Sequence, residues 1–253
     1  MRCNAPVGQR SACAARPSQT GLDNGWARCD NRGLATPYDP LTKENLGVSV
    51  REALLKQKPL PMPPGKFKGA GVYAIYYVGP FKQYRHVTDQ NKNDQFNCPI
   101  YVGKAVPKGS RKGGLIKDPQ NSTALADRLK HHADSIQAAT NLDLRHFFFR
   151  CLVVEDIWIP LGETYMIEKF QPVWNKVVEG FGIKTPGKRR KDQYTSLWDT
   201  IHPGRKFVTN LGLPPHPKRP AQIFKEVEDY LAMPQEEKAK VPTEDDGEPE
   251  EES

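Results

Sequence analysis

Gly71-Val-Tyr-Ala-Ile-Tyr-Tyr-Val-Gly79 is the stretch whose reading settles the fold. Its β-branched and aromatic residues run without a break and close on Gly79-Pro80, so it reads as a strand. Downstream, a polar loop is expected from Thr88 to Asn97, followed by a second strand, Pro99-Ile-Tyr-Val-Gly103. A basic, glycine-containing segment, Lys104 to Lys117, comes next. Residues 122–140 place Leu125, Leu129, Ala133 and Ile136 on one face at helical spacing, which predicts an amphipathic helix. Phe147-Phe-Phe-Arg-Cys-Leu-Val-Val154 reads as a third strand. Pro160 suits a helix first turn, and Met166, Ile167 and Phe170 continue that helix up to Pro172. The order β-β-α-β-α predicts a small α/β (α+β) sandwich spanning residues 70–176.

The flanks are of a different character. Residues 1–24 carry Arg2, Arg10 and Arg16, have no acid before Asp23 and lack the apolar centre of a secretory signal, so a disordered extension is expected. Residues 25–69 read as an arm, helical from Tyr38 to Leu55 and then a proline-rich connector from Lys56 to Lys66. Residues 177–232 begin with a second basic loop, Lys184 to Lys191. An aromatic and proline-rich appendage follows, suited to DNA contact, subunit pairing or core support. Residues 233–253 read as a disordered acidic tail.

The whole chain of 253 residues has 37 Lys and Arg against 30 Asp and Glu, a net charge of +7. From Pro234 onward there are nine acids and two lysines, which leaves 35 basic and 21 acidic residues, +14, on the body. A body so positive is the electrostatic footprint of a polyanion binder, because each phosphate it neutralises releases condensed counterions. Hydrophobic residues make up 37% of the chain and the mean hydropathy is −0.68, so part of it is expected to stay unpacked. No run of eighteen apolar residues exists, which argues against a membrane-spanning helix. The five cysteines include no C-x-x-C pair. That argues against a disulfide scaffold or a zinc finger and fits the reducing cytoplasm.

Gly71-Val-Tyr73, followed 28 positions on by Tyr101-Val-Gly103, resembles the paired motifs of the GIY-YIG nuclease superfamily, with valine for isoleucine in both. The resemblance extends to Arg128 and His132, four apart on the next helix, and to Glu163 through Asn175, which reads E-x-x-x-I-x-x-x-x-P-x-x-N. The gap between the two motifs is longer than the family usually shows, which makes Thr88–Asn97 an insertion. Ser196-Leu-Trp-Asp-Thr-Ile-His-Pro-Gly-Arg205, and a basic loop directly after the second motif, resemble the type II restriction endonuclease branch, over about Asn24 to Leu231. Relatives in that branch cut CCGCGG. The resemblance implies hydrolysis of both strands of a short GC-rich palindrome in double-stranded DNA. It further implies Mg2+ as cofactor, with Mn2+ able to substitute, a homodimer, and a DNA methyltransferase as genetic partner.

Phosphodiester hydrolysis needs a deprotonated nucleophile, charge stabilisation at the phosphoryl oxygens and help for the leaving oxygen. Glu163 is the candidate metal ligand, one carboxylate on an Mg2+ otherwise bound by water and phosphate. The competing reading of Glu163 is an acid drawn to a helix first turn by the dipole. The resemblance makes Tyr73 the general base, with His132 accepting or relaying its proton. Which of His131 and His132 points inward is open. Arg128 would hold the scissile phosphate with its fork of donors, and Tyr101 would bind the phosphate or position the attacking water. Lys104 would neutralise a phosphate near the metal, and Asn175 would anchor the end of the glutamate helix. Lys108, Arg111, Lys112, Lys188, Arg189 and Arg190 are candidate DNA contacts; most would touch phosphate, and Arg111, Arg189 and Arg190 are first choices for reading guanine.

Other classes fit less well. A PD-(D/E)xK nuclease needs its (D/E)-x-K at a core strand, and the one such triplet is Glu236-Glu237-Lys238. An HNH site assembled from His131, His132, Asn141 and His146 would straddle a helix and a strand without the ββα-metal order. Alternatives that remain are a structure-selective repair or homing nuclease of the same superfamily and a catalytically silent DNA-binding protein.

Overall fold

A computed structural model describes residues 41–107, 119–183 and 193–241. A four-stranded antiparallel sheet is its centre, in the order β1-β4-β2-β3. The strands are β1 (Leu60–Pro61), β2 (Gly71–Tyr77), β3 (Pro99–Ala105) and β4 (Phe147–Val153). β2 lies between β3 and β4, with Tyr73 opposite Gly103 on one side and Cys151 on the other. All seven of its residues are buried. Both faces of the sheet are therefore covered, which explains why β2 reads as a continuous apolar run rather than an alternating one.

Alternation along the strands sorts the two cores. Tyr73, Ile75, Tyr77, Tyr101, Phe147 and Phe149 face helix α3 (Ala124–Ala138), which inserts Leu125, Leu129, Ala133 and Ile136. Val72, Ala74, Tyr76 and Val102 face the other way. They meet α4 (Ile159–Phe170), through Ile159 and Met166, and Leu54 of α1 (Lys43–Leu55). The α4 helix begins with a proline in its first turn and ends at Gln171, whose left-handed conformation (φ 49°) breaks the helix before Pro172. Gly71 is required where it stands, because a Cβ there would overlap the Leu152 carbonyl of β4.

Several expectations are corrected. The stretch Thr88–Asn97 is not a plain loop: helix α2 (Arg85–Asn91) runs into it. Asn91 is fully buried there, donating to the carbonyls of Tyr77 and Cys98 and accepting from the Cys98 N–H. A polar side chain thus staples the end of β2 to the start of β3, and the long gap leaves their pairing intact. The connector Lys56–Lys66 contains β1, a fourth strand whose proline is tolerated because it lies at the sheet edge. The described part of the arm, from Leu41, is no arm either, since α1 packs on α4, with Gly47 against Tyr165.

Beyond α5 (Val173–Lys176), the appendage supports the core. Helices α6 (Leu197–Ile201) and α8 (Pro220–Ala232) bury Trp198, Ile201, Ile223, Val227 and Tyr230 on the α3 side, and α7 (Lys206–Leu211) lies between them in sequence. Order also continues past residue 233, into α9 (Gln235–Lys238), where the Lys238 ammonium sits over the Tyr230 ring and donates to the Leu231 carbonyl. The Glu236–Lys238 triplet is therefore helical. Residues 1–24 and the remainder of the acidic tail, 242–253, lie outside the described residues.

Candidate active site

The α3 face of β2 and β3 brings four of the expected residues together. Tyr73 Oη and His132 Nε2 share a buried 2.7 Å hydrogen bond. The Tyr101 ring lies 6.3 Å from that of Tyr73 and 5.2 Å from the imidazole. Arg128 is one turn before His132 on α3, as 100° per residue requires. The open question between the two histidines has an answer in burial: His132 is 2% exposed and bonded to Tyr73, whereas His131 is half-buried beside it. Burial first, then the cations of Arg128 and His131 and that of Arg205, hold the His132 imidazole well below its usual pKa. It is neutral at physiological pH, and its Nε2 meets the Tyr73 hydroxyl.

The third residue of the second motif has a steric reason to be glycine. A Cβ on Gly103 would come within 2.4 to 3.0 Å of the Tyr73 hydroxyl and the Tyr101 ring. Only a bare Cα lets both tyrosines lean over the same point of β3.

Glu163 and Lys104 form a second group. Lys104 Nζ sits 2.7 Å from Glu163 Oε2, and the two side chains are 29% and 17% exposed. Tyr101 and Gly103 face α3 while Lys104 faces α4, so the two groups flank a single edge strand within four residues. Glu163 is the fifth residue of α4, and the first turn holds no acid. Attraction to the helix dipole is therefore not why a carboxylate stands there.

Asn175 acts differently from expectation. Its side-chain amide donates to the Val102 carbonyl (2.9 Å) and accepts from the Val102 N–H (2.8 Å). It fixes β3, not the end of its own preceding helix, and it does so between Tyr101 and Gly103.

The reading of the sequence gave no role to Phe181 and Gly182. Phe181 stacks on His132, ring centroids 4.5 Å apart and planes at 20°, and also meets Tyr101 edge-on. Gly182 packs so close to Tyr101 Oη that a Cβ would lie 2.7 Å from it. Beside these residues a cleft of about 420 Å³ opens, lined among others by Arg128, His131, His132, Arg205 and Lys206. The expected DNA contacts Lys108, Arg111, Lys112, Lys188, Arg189 and Arg190 lie outside the described residues. Among those described, no three His, Cys, Asp or Glu side chains form a metal cluster, and no helix is long and apolar enough to cross a membrane.

Two comparisons bear on this arrangement. No curated protein sequence matches the chain. The family model described as the Eco29kI GIY-YIG domain matches residues 65–231, about two thirds of the chain, and so includes β2, β3, α3 and α4, the elements that carry the site. The antiparallel sheet flanked by helices is the architecture that such a domain requires. The chain belongs to the Eco29kI GIY-YIG family of restriction endonucleases: it is a nuclease, and its partner is DNA.

Proposed function

We propose that the protein is a Mg2+-dependent type II restriction endonuclease that hydrolyses both strands of a short GC-rich palindrome, CCGCGG being the expected site. The observation that carries this reading is the buried Tyr73–His132 hydrogen bond beside Tyr101 and Arg128. A tyrosine hydroxyl is a poor base until its proton has somewhere to go. An imidazole nitrogen 2.7 Å away is placed to receive it. Tyr73 is fully covered, so the attacking water is to approach beside Tyr101, which retains 9% exposure. Arg128 opens on the cleft, where its guanidinium can grip the scissile phosphate and the charge that grows on it.

The chemistry of Glu163 fits Mg2+. A partly exposed carboxylate is a hard oxygen ligand, and Mg2+ commonly keeps most of its waters and takes only one or two carboxylates. Bound there, the ion would neutralise phosphoryl charge and assist the leaving oxygen. Lys104, which Glu163 holds here, would then be able to turn toward phosphate. Two equivalent scissile bonds in a palindrome suit a two-fold homodimer with one site per subunit. In a cytoplasm that shares its DNA with such an enzyme, a methyltransferase protecting the same sequence is the implied genetic partner.

The test is digestion of a plasmid carrying one CCGCGG, with Mg2+ and with EDTA. A linear product that needs Mg2+ and maps to that site is the expected result. Mg2+-dependent cuts elsewhere would discard the site and keep the chemistry, and binding without cutting would favour a silent DNA-binding protein.

A further inference from the structure

Arg205 is 4% exposed, a cation deep inside an aromatic region. Asp199, equally buried, takes Nε and Nη2 at 2.6 Å each. The rest of the guanidinium is spent on backbone: Nη2 donates to the Gly180 carbonyl at 2.7 Å, and Nη1 donates to those of Ile183 at 2.9 Å and Phe181 at 3.3 Å. Trp198 and Phe207 lie against its plane, 4.7 and 4.8 Å from centroid to guanidinium carbon. One side chain therefore grips three carbonyls in a four-residue stretch. That stretch carries Phe181, stacked on His132, and Gly182, pressed on Tyr101 Oη.

A buried ion pair is a costly way to stabilise a fold, because desolvation offsets most of its Coulomb energy. Its value here is geometric. A planar fork with five donors can fix several carbonyls at set angles, which an ammonium or an apolar side chain cannot. We propose that Arg205 is a positioning residue for the nuclease site: by clamping 180–183 it sets Phe181 against His132, and so orients the imidazole that bonds Tyr73. The inference rests on the proposed part played by Tyr73 and His132. It assigns a task to the last residue of Ser196–Arg205, which acts on both of them through residues 180–183.

The experiment is Arg205→Lys in the full chain, which keeps the charge near Asp199 but gives up the fork. With DNA that the wild type cleaves, kcat is expected to fall by about a hundredfold, the scale of a 1 Å misplacement, while KM and DNA affinity stay within about threefold. Phe181→Leu should give a loss of similar size, and the double variant should lose no more than the worse single one, since both act through one contact. Wild-type kcat in a folded Arg205→Lys protein, or additive losses, would overturn the proposal. If Arg205→Lys does not fold, Phe181→Leu decides: an unchanged kcat overturns it. A readout without turnover separates this inference from the nuclease mechanism. The His132 Cε1–H proton resonance, assigned by its loss in His132→Gln, should sit upfield in wild type under the Phe181 ring current. It should move downfield in Phe181→Leu, and in Arg205→Lys where that folds. A wild type that cuts no DNA but shows these shifts would sink the mechanism and keep the clamp; no shift would sink the clamp.

Discussion

At the scale of single residues, the site depends on hydroxyls and carboxylates that the fold itself can spare. Tyr73→Phe keeps the ring in the core and removes only the atom bonded to His132. We expect a folded protein whose kcat is lower by a factor of about 10²–10⁴, the range general-base removal commonly costs, measured by steady-state cleavage. Glu163→Ala should abolish cutting and leave binding within about threefold, because Glu163 and Lys104 are both partly exposed and neither is wedged in the core. Cleavage that survives Glu163→Ala would remove Glu163 from the metal. Tyr101, Arg128 and Glu163 were nameable from the family motifs they match, and His132 only with the choice against His131 left open. Phe181 and Gly182 were not, because a phenylalanine six residues beyond Asn175 carries no periodic signal, and only the folded chain shows that it stacks on an imidazole.

At the scale of elements, Asn175 is the joint most open to test. Asn175→Ala removes two hydrogen bonds to Val102, and the net loss for such bonds in a covered strand is about 1–3 kcal/mol in all. Urea denaturation should show it, together with a drop in kcat because Tyr101 rides on the same strand. The strands β2, β3 and β4 and the helices α3 and α4 were legible because apolar runs and a one-sided face leave few other solutions. Two elements were not. β1 is two residues long and contains a proline, and α2 has Val87 as its one apolar residue, with the buried Asn91, which sequence cannot flag as buried, bonding it to the sheet. Helices α6 to α9 were hidden by prolines that read as connector but stand at their ends.

At the scale of the whole molecule, charge and protonation become visible. His202 is fully buried, with burial pushing its pKa down to about 3, and His132 is lowered as well. His202 must be neutral for its bonds to close: Trp174 donates to Tyr84 Oη, Tyr84 donates to His202 Nε2, and His202 Nδ1–H donates to Asn141 Oδ1. Because both folded pKa values lie below the unfolded value near 6.5, their stabilisation is complete above that pH and is lost as pH falls, for His202 toward about 3. Unfolding free energy should be flat from pH 7 to 8. Below pH 6.5 it should decline by up to about 1.4 kcal/mol per unit for each histidine. A stability that rises on acidification through that range would contradict the burial of both. The +14 body predicts a second bulk property, a DNA affinity that falls steeply with salt and a log–log slope of magnitude at least about 4.

The sheet has two borders, and among the described residues each is interrupted at one point. On one, the carboxamide of Asn175 mimics a neighbouring strand and uses up both outward groups of Val102. On the other, the rim is two residues long and Pro61 has no hydrogen to offer. Among the described residues, a second copy therefore finds no pairing groups left on Val102 and a rim of only two residues at Leu60–Pro61, so fibre-like stacking at these two points is discouraged. If two copies meet over a palindrome, they must do so through helices and loops, and their separation is free to follow the spacing of the cut bonds rather than the 4.8 Å pitch of a shared sheet.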